Sequence, residues 1–127
     1  MSLSPGLFAD AIAAEVAYDS IADEFLVTWH GTTTDLRQYE DEIFGQRLDA
    51  TGAEIGVNDF RISDMGPEDP IPGPGLWAGD PAAAFGATGG EYLVVWRGVD
   101  TPSGETEIYG QRIGPGGPFV LDRWGGV

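Results

Sequence analysis

The chain has no cysteine and no lysine, and its 127 residues include a single histidine. The first absence excludes disulfides, thiolate metal sites and cysteine nucleophiles. Without lysine, the whole basic complement is six arginines, set against 21 acidic residues for a net charge of -15. A surface of that sign repels phosphate backbones and anionic headgroups, which are bound by basic clusters that release counterions. One histidine cannot build a multi-histidine metal site within one chain. No apolar run approaches the roughly 18 residues of a membrane span, and the start MSLSPGLFAD lacks the basic and apolar regions of a signal peptide. Nucleic acid and membrane insertion are therefore not expected as partners. The leading MSL reads as an expression start, so residues 1–4 are set aside as expression-derived or disordered.

The acidity itself reads first as a solvated, self-repelling coat that favours solubility. The sharper alternative is calcium, a hard cation that takes carboxylate and carbonyl oxygens. The regular calcium spacings are missing, both the D-x-[DN]-x-[DN]-G loop and the G-G-x-G-x-D array. No cofactor is expected, with Ca2+ the one ion left open.

What the sequence does contain is a repeat. PGLF at 5–8 answers PGLW at 74–77, EFLVTW at 24–29 answers EYLVVW at 91–96, and EIFGQRL at 42–48 answers EIYGQRI at 107–113. Four of six positions are identical in the second pair of phrases and five of seven in the third, in unbroken order. Self-similarity of this kind marks repeated supersecondary units. The first unit spans 5–73 and the second, shortened in its last segment, 74–127, the two sharing one structural domain.

Within each unit the pattern is β. EVAYDSI, EFLVTWHG, EIFGQRLDA and NDFRISD are short runs rich in β-branched and aromatic residues, separated by Asp, Gly, Thr and Ser. The second unit offers AAAFGA, EYLVVWRGV, TEIYGQRI and a weak PFVLD, with DTPSGE as a hairpin loop. LFADAIAAEVA at 7–17 is the one stretch with helical character. In the Trp-ending strands both faces are apolar: Phe25, Val27 and Trp29 alternate with Leu26 and Thr28, and Leu93 and Val95 repeat the second set. A strand apolar on both faces is expected between neighbouring sheets. Gly45 and Gly110, mid-strand in each copy, would allow close backbone or aromatic approach. The fold class expected is thus all-β, two four-stranded antiparallel units resembling β-propeller blades, with a two-sheet sandwich as the alternative. Two blades do not close a ring, so the propeller form requires several chains or neighbouring repeats.

The phrases EYLVVW, EIFGQRLDATGAEIG and NDFRISDMGPEDP resemble the tandem repeats of large, acidic, predicted extracellular proteins of marine and environmental bacteria. The resemblance covers nearly the whole chain. It implies a multi-repeat protein, a secreted or cell-surface location and no established activity. The second copy departs from the pattern, with GPGGPFVLDRW in place of the full ATGAEIGVNDFRIS, so its fourth strand is expected to be curtailed.

Candidate sites follow from the polar residues written twice. Glu42, Gln46 and Arg47 recur as Glu107, Gln111 and Arg112, beside the strands of Trp29 and Trp96. An indole flanked by a guanidinium fork and a carboxylate can bind a sugar, the ring stacking on its apolar face while the polar groups bond hydroxyls. Trp29, Arg47, Glu42, Trp96, Arg112 and Glu107 are therefore the candidate ligand residues. The competing reading pairs each arginine with a repeated carboxylate and places both tryptophans in the core. Asp64, Glu68, Asp69 and Asp80, in or beside a Pro- and Gly-rich connection, are the candidate cation ligands. His30 stands where the second copy has Arg97 and reads as a strand-end surface residue. No G-x-S-x-G elbow accompanies it and no enzyme activity is expected. The function expected is a non-catalytic structural or adhesive repeat module that associates with itself or with neighbouring repeats. A lectin-like glycan-binding module is the alternative.

Overall fold

A computed structural model describes residues 8–33, 41–65, 76–101, 104–114 and 120–124, with 8–10, 33 and 120–124 described as backbone alone. The chain is all-β, without a helix among the described residues. The strands are β1 (Phe8–Asp19), β2 (Glu24–Thr33), β3 (Glu42–Asp49), β4 (Glu54–Arg61), β5 (Trp77–Gly86), β6 (Glu91–Val99), β7 (Glu107–Ile113) and β8 (Val120–Trp124). They form two four-stranded antiparallel sheets, ordered β1-β2-β3-β4 and β5-β6-β7-β8. Each sheet is a meander in which every strand pairs with the next in sequence. The helical character of LFADAIAAEVA gives way to strand because β2 offers a full ladder partner, Val16 opposite Val27 and Tyr18 opposite Phe25. Tertiary pairing of this kind overrides weak local propensity.

Both opening strands carry the same irregularity. Between Ile12 and Glu15 the pairing to β2 slips by one residue, and between Gly79 and Ala82 the pairing to β6 does the same. These are β-bulges, two residues facing one. Ala13 (φ 56°) and Asp80 (φ 49°) hold the left-handed backbone conformation at equivalent places. Pro81 is tolerated in β5 because it falls in this bulge, where the regular ladder asks for no N–H.

The fourth strand begins earlier than the sequence suggests, at Glu54 rather than near Asn58, and ends at Arg61. A turn held by Asp49 sets its start: the carboxylate accepts the N–H of Thr51 (2.9 Å) and Ala53 (3.0 Å) and the Thr51 hydroxyl (2.6 Å). Those bonds favour the ionised form and hold the Asp49 carboxyl below its ordinary range. Gly45 pairs with Phe60 and Arg47 with Ile55, so residues 56–59 of β4 bow outward opposite Gln46 alone. In the second unit the curtailed segment still forms a five-residue strand, β8, against β7.

Cross-strand register defines two faces of each sheet. One, the leucine face, carries Ala17, Leu26, Thr28, Ile43 and Arg47 in the first unit and Ala84, Leu93, Val95, Ile108 and Arg112 in the second. The opposite, tryptophan face carries Tyr18, Phe25, Val27, Trp29 and Phe44, repeated as Phe85, Tyr92, Val94, Trp96 and Tyr109. The core lies where the leucine face of the first sheet meets the tryptophan face of the second. Ala17, Leu26 and Ile43 from one side pack in a single cluster with Tyr92, Val94 and Trp96 from the other. Burying a side chain such as Leu26 or Ile43 completely contributes about 1.5–3 kcal/mol. The sheets approach most closely along β1 and β5. Ile21, in the β1–β2 turn, reaches the β5–β6 turn, its Cδ1 lying 3.7 Å from where a Cβ on Gly90 would stand. The units therefore stack in the same sense, turn over turn. At Gly45 the missing side chain admits Phe60 and Ile62, whose Cζ and Cδ1 would lie 3.2 and 3.0 Å from an added Cβ.

Candidate functional site

Of the twice-written polar residues, Glu42, Gln46, Arg47 and Gln111 are buried, whereas Glu107 and Arg112 are not. Arg47, near the end of β3, reaches across to Glu24 at the start of β2, with Nη2 and Oε2 2.5 Å apart. Arg112 and Glu91 occupy the same positions in the second unit and pair at 3.5 Å. The repeat thus preserves an ion pair. The first copy lies partly beneath the second sheet, with the side chains of Arg47 and Glu24 9% and 19% exposed, whereas Arg112 and Glu91 are 42% and 30% exposed.

Gln46 is buried and replaces the ladder where β4 bows away. Its amide donates to the carbonyls of Arg47 (2.9 Å) and Ile55 (3.2 Å), and its oxygen accepts the Asp59 N–H (2.9 Å). Glu42 is buried too, and the F-R-I-S phrase wraps it. Its carboxylate accepts Arg61 Nη2 at 2.7 Å, the Met65 N–H at 2.8 Å and the Ser63 hydroxyl. Ser63 Oγ in turn accepts the Ile43 N–H at 2.8 Å. The second unit has no such phrase, and Glu107 is exposed, accepting the Tyr109 hydroxyl at 3.0 Å.

Both indoles are covered. Trp29 stacks on Phe44 with ring centroids 6.4 Å apart, and Trp96 stacks on Tyr109 at 6.3 Å. Trp96 Nε1 donates to Met65 Sδ at 3.3 Å, tying the first unit's last segment to the second unit's central strand. As placed, neither ring presents a face to solvent on which a sugar could stack.

Of the candidate cation ligands, the two described ones are each engaged by an arginine. Asp64 pairs with Arg61 at 3.3 Å, and Asp80 pairs with Arg97. Glu68 and Asp69 lie outside the described residues. Among the described residues, no three of His, Asp and Glu stand together as a metal site would require.

A different cluster lies at the seam between the sheets, built by the bulge in β5. Asp80 stands outside the regular pairing there, and its N–H donates to Nδ1 of His30 on β2, at 3.0 Å. The His30 proton therefore sits on Nε2. Arg97 accompanies them, its Nε bonding Asp80 and its guanidinium lying 5.1 Å from the centre of the Trp77 ring. Sequence reading assigned His30 to a strand end and Asp80 to a cation cluster, and it passed over Trp77 and Arg97 as a pair. The available signal was the mismatch between copies, Trp77 for Phe8 and Arg97 for His30, at positions the rest of the repeat holds nearly constant. No protein-family model and no curated protein matches the chain.

Proposed function

We propose that this chain is a non-catalytic repeat module of an extracellular bacterial protein, a pair of propeller-blade-like units whose work is to present and space interaction surface. The observation that carries this reading is that the polar residues written into both copies serve the scaffold. Glu24–Arg47 and Glu91–Arg112 tie β2 to β3 and β6 to β7, and Gln46 bonds the bowed strand. A repeat preserves such residues for its own packing whether or not a ligand exists. The blade description draws support from the stacking of unlike faces and from the close approach along the first strands, as adjacent blades converge toward an axis. In a sandwich whose halves were related by a two-fold axis, like faces would meet. The extracellular assignment draws on the net charge of -15 without lysine and on the resemblance to acidic bacterial repeats.

One observation favours the second reading, a lectin-like module. Trp77, Arg97 and Asp80 set an indole, a guanidinium and a carboxylate side by side, the two charged groups about half exposed. Titration of the chain across a glycan panel decides between the two. The module reading expects no saturable binding. Binding lost on Trp77→Ala and on Arg97→Ala would replace it with the lectin.

A further inference from the structure

We infer that the leucine face of the second sheet is the docking surface for the tryptophan face of the first sheet of another copy of this chain, so that chains join head to tail. The inference rests on the repeat-module reading and names the partner of its outer faces.

The template is the interface already inside the chain, where the first unit's leucine face packs on the second unit's tryptophan face. The two outer faces are the missing halves of that same contact. Away from the Trp29–Phe44 and Trp96–Tyr109 stacks, which are buried in both copies, burial reverses between the copies. Ile43 is 0% exposed, whereas its counterpart Ile108 is 48% exposed. Leu26 and Thr28 are fully buried, and Leu93 and Val95 only partly. On the other face the order inverts: Tyr92 and Val94 are buried, while Phe25 and Val27 are only partly buried. Val16, beside Val27 on that face, is 58% exposed, and Tyr18 lies beside Phe25. The exposed residues are of the same kinds as those that pack within the chain.

Because unlike faces meet, the interface is heterologous, and repetition of it closes a ring or runs on as a filament. With two blades per chain, closure at the usual 4 to 8 blades corresponds to roughly two to four copies. The charge of -15 opposes association at low ionic strength, so assembly strengthens with salt.

The test uses two variants on opposite faces, Val16→Lys and Ile108→Lys. Both side chains are about half exposed, and both changes lower the net negative charge, so a loss of assembly cannot come from added repulsion. Light scattering in high salt is expected to give a multiple of the chain mass for the wild type and a single-chain mass for each variant. Mixed together, the two variants are expected to form a one-to-one pair and nothing larger, each retaining the face the other has lost. Thermal melts confirm folding, and Tyr18→Lys with Ala84→Lys supplies a second pair on the same two faces. A wild-type monomer in high salt overturns the inference. So does a variant that assembles as the wild type does, which would indicate contact between like faces, or a mixture that fails to pair. Blank glycan titrations alongside a monomer would leave the module reading standing and remove only this interface. Glycan binding at Trp77 would remove the module reading and leave the interface result to stand by itself.

Discussion

The ion pair written into both units is a built-in controlled experiment. Glu24–Arg47 and Glu91–Arg112 occupy equivalent register positions but differ in cover, because the second sheet lies over the first pair and leaves the second open. Two double-mutant cycles are proposed: Arg47→Met with Glu24→Gln, and Arg112→Met with Glu91→Gln. Fully buried pairs cost about 3–5 kcal/mol when one partner is removed, and exposed pairs couple by about 0.2–1 kcal/mol. With Arg47 and Glu24 at 9% and 19% exposure, the first pair lies below the buried limit. Loss of Arg47 should then cost about 2 kcal/mol, most of it as coupling to Glu24. The second pair, at 3.5 Å and far more open, should couple by about 0.5 kcal/mol. Urea denaturation with constant m, at a concentration where the chain is monomeric, reads both cycles. Equal coupling in the two copies would refute the claim that the overlying sheet distinguishes them. If chains assemble head to tail, the same measurement on the assembled protein should show the second coupling rising toward the first, since a neighbour's tryptophan face would then cover Arg112.

Two further outcomes follow from groups buried without hydrogen bonds among the described residues. The Thr28 hydroxyl and the Tyr92 hydroxyl are such groups, and the repeat supplies the apolar substitute for each, Val95 and Phe25. Thr28→Val and Tyr92→Phe should each raise stability by about 1 kcal/mol in denaturant titration, and a loss of stability in either would refute this. Burial, and behind it the charge of Glu54, hold the Asp59 carboxyl above its ordinary value, while its φ of 48° adds backbone strain. A carboxyl whose folded value is raised keeps its proton longer in the folded state. Its penalty is therefore present above the folded value and is relieved as pH falls toward the ordinary carboxyl range, about 4. Asp59→Asn should stabilise the protein at neutral pH and converge with the wild type in acid; a constant difference across that window would refute the assignment.

The strands were legible where composition and alternation agreed, as in EFLVTW and EYLVVW, because a segment apolar on both faces has few alternatives to a covered strand. β4 was misplaced toward its C-terminal end because Glu54, Gly56, Asn58 and Asp59 carry no strand signal. Their segment joins the sheet through the short Leu48–Glu54 and Arg47–Ile55 pairing beside the Asp49 turn and through the amide of Gln46. The paired bulges were invisible for a related reason. Ala13 and Asp80 do not resemble each other, and their shared conformation comes from register against Trp29 and Trp96. Alternation also shows that both faces are apolar without showing which face meets which. At the candidate site, recurrence of Arg47 and Arg112 was readable, whereas the His30–Asp80 bond joins residues 50 apart and depends on how one sheet lies over the other.

The likeness of the two units in sequence and the differing exposure of their matched apolar residues bear on assembly more than on chemistry. A repeat at the end of a stack ordinarily carries a polar outer face, since the last blade or solenoid turn has nothing to cover it. Neither outer face here is of that kind. Val16 and Tyr18 project from one side, and Ile108, with Leu93 and Val95 beside it, from the other. The acidic residues do not relieve this: Glu24 and Glu91 are engaged with arginines and Glu42 is buried, so much of the charge near these faces serves the unit that carries it. Ile43 and Ile108 make the point in one comparison. The same residue at the same place in the repeat is wholly enclosed once and half bare once, and one added unit of the kind already present would enclose Ile108 as well.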